Sequence, residues 1–285
     1  MQKTILYIWT LIMGLVSLAA CEHDIDFDYP VAESVIVFDG RISNEDLFVK
    51  ISHTRPMSDS TKNHFISDAQ VWIISDDGSE EQLVYDEQGK CYISPTGLVG
   101  TPGHTYQMKA TVEGRDYRAT ATMQPPSQID TTYFRWVELL GERIFFVCIK
   151  GFDAYPEDRM KNYYLCRLIR DNEVFRWNPR SGRSSVNGIY EYDIICSSEK
   201  EIDEGIVENG RQPMANGDTI IVELMSIDRY CWAYFQSLVY IQSTNANPIT
   251  NIEGGAQGIF MAANISRGDT LVFNKKEVLS HRAKE

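Results

Sequence analysis

The chain has 285 residues, with 40 acidic against 27 basic side chains and a formal net charge of −13 at neutral pH. Such a surface repels phosphate backbones and anionic headgroups, which argues against nucleic acid as a partner and against electrostatic attraction to a membrane. Hydrophobic residues make up 43% of the chain, enough for a packed core, and the length suits two domains better than one.

The N-terminus has the pattern of a bacterial lipoprotein. Lys3 is the only charge in residues 1–20, and an apolar run from Ile5 to Val16 follows it. This run is short for a membrane-spanning helix, which needs about twenty residues, and suits the core of a signal peptide. Leu18-Ala19-Ala20-Cys21 resembles a lipobox, in which a peptidase cuts before the cysteine and the thiol carries lipid. We therefore predict a signal peptide over 1–20 and a palmitate-type anchor at Cys21 as the only attachment to the membrane.

Residues 21–32 form an acidic stretch in which Asp24, Asp26 and Asp28 alternate. An EF-hand loop starting at Asp24 needs Gly at its sixth position and Glu at its twelfth, where this chain has Tyr29 and Val35. A calcium loop is therefore not predicted. Two interpretations stay open: a solvated tether, and a signal resembling the surface-export signals of Bacteroidota lipoproteins.

Residues 33–123 show short alternating runs typical of an immunoglobulin-like β-sandwich. Glu33–Phe38 is expected to stop at a turn at Asp39-Gly40, and Thr105–Val112 with Arg115–Met123 forms the clearest hairpin, about Glu113-Gly114. Tyr106 is a candidate tyrosine-corner residue. The other expected strands are Asp46–Ser52, Ala69–Ser75, Gln82–Tyr85 and Lys90–Ser94.

Gln124-Pro125-Pro126-Ser127 marks a linker at 124–129, because two prolines stop a strand and stiffen the chain. Residues 130–274 then predict a second β domain, either a sandwich or a partly open barrel. Its last elements are a hairpin about Arg267-Gly268 and a charged, frayed tail over 275–285. The expected strands are Thr131–Leu140, Arg143–Lys150, Asn162–Ile169, Val174–Trp177, Gly188–Cys196 and Asp218–Met225, with loops at 178–187 and 197–216.

One helix is predicted, over about 228–243, because apolar residues there recur with helical spacing. Ser226 is the expected N-cap, and Asp228 suits the first turn. The aromatic stripe of this helix either covers the open side of a curved sheet or lines a ligand cavity. We favour the first interpretation, which is a packing role.

Beyond Cys21 the chain has five cysteines, none in a C-x-x-C pair, so no zinc ribbon or thioredoxin-like motif is predicted. An exported protein can oxidise its thiols. Cys148 with Cys166, and Cys196 with Cys231, are candidate pairs, while Cys91 and any unpaired thiol suit buried positions.

No motif for catalysis, metal or cofactor stands out. Gly254-Gly255-Ala256-Gln257-Gly258 follows a helix and lacks the Lys of a phosphate loop, so Gly254, Gly255 and Gly258 are interpreted as structural. The chain has no Gly-x-Ser-x-Gly elbow and no His-Glu-x-x-His, and its five histidines are scattered. The acids between 199 and 204 suit a solvated loop. We therefore expect no enzyme, metal or cofactor.

Four Asp-Ser/Thr pairs resemble the O-glycosylation sequon of Bacteroidota exported proteins. The alternative is that Asp-Thr simply opens a strand. The candidate modified residues are Ser60, Thr131, Thr219 and Thr270.

Together, the lipobox, the first sandwich, the helix and the motif Asn251-x-x-Gly254-Gly255-x-x-Gly258-x-Phe260 resemble the Bacteroidota lipoproteins of domain-of-unknown-function family 4249. Many members have Gly-Ala-Leu-Gly-Tyr-Phe where this chain has Gly-Ala-Gln-Gly-Ile-Phe. The resemblance implies an outer-membrane, surface-exposed protein that works with a TonB-dependent receptor, although the periplasmic face stays open. It transfers no catalytic residues. The alternatives are a structural adhesin or fimbria-like subunit, and a hydrolase with a dispersed site.

Overall fold

The computed structural model describes residues 33–55, 64–208, 210–244 and 247–280, so the predicted signal peptide, the tether, Cys21 and Ser60 lie outside the described residues. The described chain is mostly β, as predicted. Its α-helices are α1 (Glu199–Glu204), α2 (Arg229–Thr244) and α3 (Lys275–Ser280). Its strands are β1 (Ile36–Ser43), β2 (Leu47–His53), β3 (Gln70–Ser75), β4 (Glu80–Gln82), β5 (Val84–Asp86), β6 (Cys91–Ile93), β7 (Thr105–Val112), β8 (Arg115–Thr122), β9 (Gln128–Leu139), β10 (Glu142–Phe152), β11 (Tyr163–Arg170), β12 (Glu173–Ser181), β13 (Ile189–Ser198), β14 (Thr219–Ser226), β15 (Gln257–Arg267) and β16 (Leu271–Val272).

The strands form three sheets. The long sheet has the order β12-β11-β14-β15-β1-β2-β6-β5, with β16 also paired to β14. The first cover sheet has the order β4-β3-β7-β8, and the second cover sheet has the order β13-β10-β9. Every pairing in the three sheets is antiparallel except one: β1 and β15 run parallel, with Gly40 opposite Phe260. The N-terminal and C-terminal parts of the fold therefore share one sheet.

The first hydrophobic cluster lies between the long sheet and the first cover sheet. Phe38 and Val49 belong to the long sheet, Val71 and Met108 to the cover sheet, and all four are buried. Alternation along each strand places these side chains on the inner faces, and burying each such side chain contributes about 1.5–3 kcal/mol. Tyr106 is also buried, and its hydroxyl accepts a hydrogen bond from the Thr101 N–H at 2.8 Å, as a tyrosine corner requires.

A second hydrophobic cluster lies between the long sheet and the second cover sheet. On β11, Leu165 belongs to the first cluster and Cys166 to the second; on β14, Met225 belongs to the first and Leu224 to the second. Because successive side chains of a strand point to opposite faces, the two clusters lie on opposite faces of these strands. The described sheets pack face to face and do not close into a barrel. Residues from Ser34 onward form one compact unit, and the domain boundary at 124–129 stays a prediction.

Two local predictions are wrong. Asp39-Gly40 is not a turn: β1 continues through it to Ser43, and Gly40 is needed because a Cβ there would lie 2.9 Å from the Phe260 ring. Arg267-Gly268 is not a hairpin turn either. Both β15 and β16 pair with β14 and run in the same direction along it, so the chain does not reverse between them.

The acidic loop and the charged tail each contain a short helix. Ser198 and Glu201 form a capping box at the start of α1, and Gly205 ends it with a left-handed backbone (φ 65°). In α3, Val278 is buried in the second cluster. β12 also extends to Ser181, into the expected loop at 178–187.

Candidate functional site

Helix α2 is held at its start by Asp228. One carboxylate oxygen of Asp228 accepts a hydrogen bond from the Cys231 N–H at 2.8 Å, and the other accepts from the Thr122 N–H of β8 at 3.1 Å. Asp228 is therefore the N-cap. The prediction of Ser226 as N-cap is wrong, since its buried hydroxyl has no partner among the described residues. Because Asp228 bonds both α2 and β8, the helix is fixed against the first sandwich.

The inner side of α2 packs on β11, β12 and β15 through aromatic side chains. The Trp232 ring lies 5.3 Å from the Tyr163 ring, and the Phe235 ring lies 5.7 Å from the Trp177 ring. Burial, together with the negative charge of Asp39, raises the pKa of the Tyr234 hydroxyl. These contacts confirm that the aromatic stripe covers the open face of the sheet.

The outer side of α2 is exposed and carries a single charge. Arg229 is the only charged residue among the sixteen of the helix. Tyr230, Val239 and Tyr240 are 74%, 52% and 58% exposed, and Ile249, whose N–H donates to the Ser237 hydroxyl at 3.0 Å, is 57% exposed. Tyr230 and Val239 are nine positions apart and so lie on opposite flanks of the helix, with Tyr240 facing outward between them. We call this solvent-facing side of α2, from Tyr230 through Val239 and Tyr240 to Ile249, the α2 surface. Protein interfaces are enriched in tyrosine and depleted in charge in this way, so the α2 surface is the best candidate for a binding site.

A row of charges crosses the same face of the long sheet. Arg167, Glu223 and Arg267 lie directly opposite one another on β11, β14 and β15. The buried Glu223 carboxylate accepts hydrogen bonds from Arg167 Nε at 2.9 Å and from Arg267 Nη2 at 2.8 Å. Burial acts to raise the pKa of Glu223, but the hydrogen bonds and positive charges of both arginines outweigh it and lower that pKa. Arg267 also pairs with Glu45, so the row is balanced in charge and serves to hold the strands together.

The glycine motif is structural, and Asn251 is its centre. The Asn251 amide bonds both backbone groups of Phe260 on β15, at 3.0 Å to the N–H and 2.7 Å to the carbonyl. Gly258 has φ 99°, and a Cβ there would lie 1.9 Å from the Phe38 carbonyl oxygen. Gly254 has φ 104°, and a Cβ there would lie 2.7 Å from the Asp116 carbonyl oxygen. Gly255, at φ 88°, faces open space. The motif thus seats β15 against β1 and β8.

The candidate glycosylation sites that the structure describes are on the surface. Thr131, Thr219 and Thr270 are exposed, and they lie on β9, on β14 and between β15 and β16. The Thr219 hydroxyl donates to Asp171 at 2.9 Å, and the Thr131 hydroxyl to Asp130 at 2.9 Å. Glycosylation of these residues stays a prediction.

The five cysteines of the described chain are buried thiols, and neither candidate disulfide forms. Cys148 lies on the second cover sheet and Cys166 on the long sheet, not on one hairpin. Burial raises the pKa of Cys166 and of Cys196 to about 12, so neither supplies a thiolate near neutral pH. These thiols act as small apolar core residues.

Two further observations concern the described residues only. No group of three or more His, Cys, Asp or Glu side chains there is placed to hold a metal ion. Of the helices within these residues, none is both long and apolar enough to span a bilayer.

A comparison with curated proteins finds no match to this chain. The family model described as Domain of unknown function (DUF4249) matches residues 22–269. The match covers the capped helix α2, the Asn251 motif and every sheet of the fold. The chain belongs to the domain-of-unknown-function family 4249.

Proposed function

We propose that this protein is a lipid-anchored binding component that works with a TonB-dependent receptor at the outer membrane. Lipid at Cys21 attaches it to the membrane, and the acidic segment 22–32 separates the anchor from the fold. The fold contributes an interaction surface and no chemistry of its own. The α2 surface is the observation that carries this proposal.

The composition of the α2 surface supports a protein partner. The chain as a whole has a net charge of −13, yet the outer side of α2 presents tyrosine and valine with no charge beyond Arg229. Exposed side chains of this kind bury apolar area on binding without the cost of desolvating a charge. A solvated helix that served only to cover the sheet would normally carry charged residues on its outer side.

The position of the α2 surface also supports the proposal. β1 and β15 start at the same end of the long sheet, since they are parallel and Val37 lies opposite Gln257. The tether joins the fold at this end, just before β1. The Thr250 hydroxyl donates to the Gly258 carbonyl at the start of β15 at 2.8 Å, so the neighbouring Ile249 of the α2 surface lies at the end of the sheet from which the chain continues to the proposed anchor.

The experiment is co-purification from the source cells in mild detergent. The anchored protein is expected to retain a TonB-dependent receptor and to incorporate labelled palmitate. The Cys21→Ser variant is expected to lose the label and to leave the membrane fraction. A clean preparation that contains this protein alone would contradict the proposal, and ladders on unboiled gels would favour the fimbria-like alternative.

The α2 surface is tested by a double substitution, Tyr230→Ser with Val239→Ser. We expect the retained receptor to fall by at least about tenfold, since interface anchors dominate binding energy. The matched control is Val84→Ser with Val99→Ser, which removes two side chains that are 47% and 42% exposed on the first sandwich. Equal retention by both variants would exclude the α2 surface as the binding site.

A further inference from the structure

Among the tight turns of the described chain, the tip of the β9–β10 hairpin differs from the others in beginning with an apolar residue. Among the described residues, four two-residue turns have positive φ at both central positions. Such turns favour Asn, Asp or Gly, because a larger side chain is strained at positive φ. Three of them begin with a polar residue, and the fourth begins with Leu140, at φ 54°. The turns are Glu113-Gly114, Leu140-Gly141, Asp171-Asn172 and Asn187-Gly188.

Folding does not explain a leucine at this position. The Leu140 side chain is 99% exposed, so it adds no buried apolar area to the fold, and its neighbour Leu139 is 59% exposed. β9 and β10 are twelve and eleven residues long, and they hold the two leucines at their common end. An exposed aliphatic pair, one member of which is also strained, gains a physical role only when another surface covers it.

The surroundings of the tip specify the charge of that surface. Leu140 lines a recess of about 610 Å³ whose walls carry five carboxylates and two basic side chains. Glu199 and Asp203 are balanced by two cations, since Glu199 forms ion pairs with Arg143 and Lys275 and Asp203 forms one with Lys275. The other three carboxylates have no ion pair within the described residues, and they form an acidic rim beside the leucines. These three are Glu138, Glu142 and Glu204.

We infer that the tip of the β9–β10 hairpin is a docking element for a protein whose surface offers an apolar socket with a basic rim. Leu139 and Leu140 enter the socket, and the acidic rim faces lysine or arginine side chains of the partner. Charge complementarity of this kind speeds association and selects the partner. The identity of the partner as the TonB-dependent receptor rests on the proposed function; the chemistry of the docking element does not.

The test uses the full-length anchored protein in the source cells and compares Leu140→Asn with Val186→Thr. Val186 is 69% exposed and flanks another two-residue turn, so it controls for the loss of an exposed aliphatic side chain. Leu140→Asn is expected to reduce receptor retention by at least about tenfold. The same variant is expected to raise the melting temperature by about 2–4 °C, because Asn tolerates positive φ. Val186→Thr is expected to leave both unchanged.

The acidic rim is tested by a triple variant, Glu138→Gln with Glu142→Gln and Glu204→Gln. Receptor retention by the wild type should fall as salt rises, and this dependence should flatten in the triple variant. Normal retention of the receptor by Leu140→Asn would overturn the inference and leave the proposed function standing.

A photocrosslinking side chain at position 140 decides the remaining case, in which the wild type retains no receptor and the proposed function fails. A crosslink to the apolar, lysine- or arginine-flanked surface of another protein would support the docking element. The absence of any crosslink would overturn the inference.

Discussion

The side chain of Asn251 completes the backbone hydrogen bonding of Phe260: its Oδ1 accepts from the Phe260 N–H at 3.0 Å, and its Nδ2 donates to the Phe260 carbonyl at 2.7 Å. Phe260 is fully buried, so without Asn251 its N–H would be unpaired away from water and its carbonyl would keep only the weak Cys231 thiol donor, whose Sγ lies 3.8 Å away. We expect Asn251→Ala to lower the free energy of unfolding by about 2–4 kcal/mol, as two buried groups lose their partners. Urea denaturation measures this. Asn247→Ala, at an exposed position, should stay within about 0.5 kcal/mol of the wild type, and similar values for both variants would contradict the role of Asn251.

Two glycines of the same motif should differ sharply in their tolerance of alanine. Gly258→Ala places a Cβ 1.9 Å from the Phe38 carbonyl oxygen, which the parallel pairing of β1 and β15 cannot accommodate. We expect this variant to fold poorly, with a loss above about 4 kcal/mol. Gly255→Ala meets open space and only a positive φ, so it should cost about 1 kcal/mol. Melting curves of the soluble fractions check the order, and a reversed order would contradict this account of β15.

The pKa of Glu223 makes a specific contribution to acid sensitivity. A carboxylate whose folded pKa lies below its ordinary value stabilises the fold above that ordinary value, and the contribution is lost as the pH falls through the folded pKa. The melting temperature of the wild type should therefore fall more steeply below about pH 4.5 than that of Glu223→Gln. Glu87→Gln, at an exposed side chain, is the control and should follow the wild-type curve. Parallel curves for wild type and Glu223→Gln would refute the role of Glu223.

The thiols supply a prediction about accessibility. Because burial raises the pKa of all five described cysteines, a thiol reagent at pH 8 should modify none of them in the native protein. After denaturation in urea the same reagent should modify all five without prior reduction, since no disulfide joins them. Modification that requires a reductant would contradict the structure.

Local signals in the sequence predict the local parts of this fold. Glu113-Gly114, between two alternating runs, identifies the β7–β8 hairpin, because the information lies within a few residues. Ser198 and Glu201 carried the same kind of signal for α1, the spacing of a capping box, but the surrounding acids favoured a loop. Asp39-Gly40 has the residues of a turn but lies inside a central strand. The glycine there makes room for the ring of Phe260, which is far away in sequence, so no local signal could show its role.

The features of the candidate site also divide into those that a local stretch of sequence shows and those that only the fold brings together. The period of α2 and its single charged residue, Arg229, are visible in its sixteen residues. The row of Arg167, Glu223 and Arg267 is not, because strand register alone brings the three residues together. Leu140-Gly141 had a usable signal, a leucine where a tight turn favours asparagine, but only the exposed fraction of Leu140 shows that the leucine is not part of the core.

The parallel pairing of β1 with β15 has a consequence for how the protein is made. During synthesis β1 emerges among the first structured residues and β15 among the last, so the first strand waits for almost the whole chain before its neighbour exists. Contacts so far apart in sequence form slowly, and β1, although paired with β2 on one side, keeps an open edge that invites aggregation in the meantime. The nascent chain therefore depends on protection of the open edge of β1. Any truncation before β15 leaves that edge of the long sheet permanently without its neighbour.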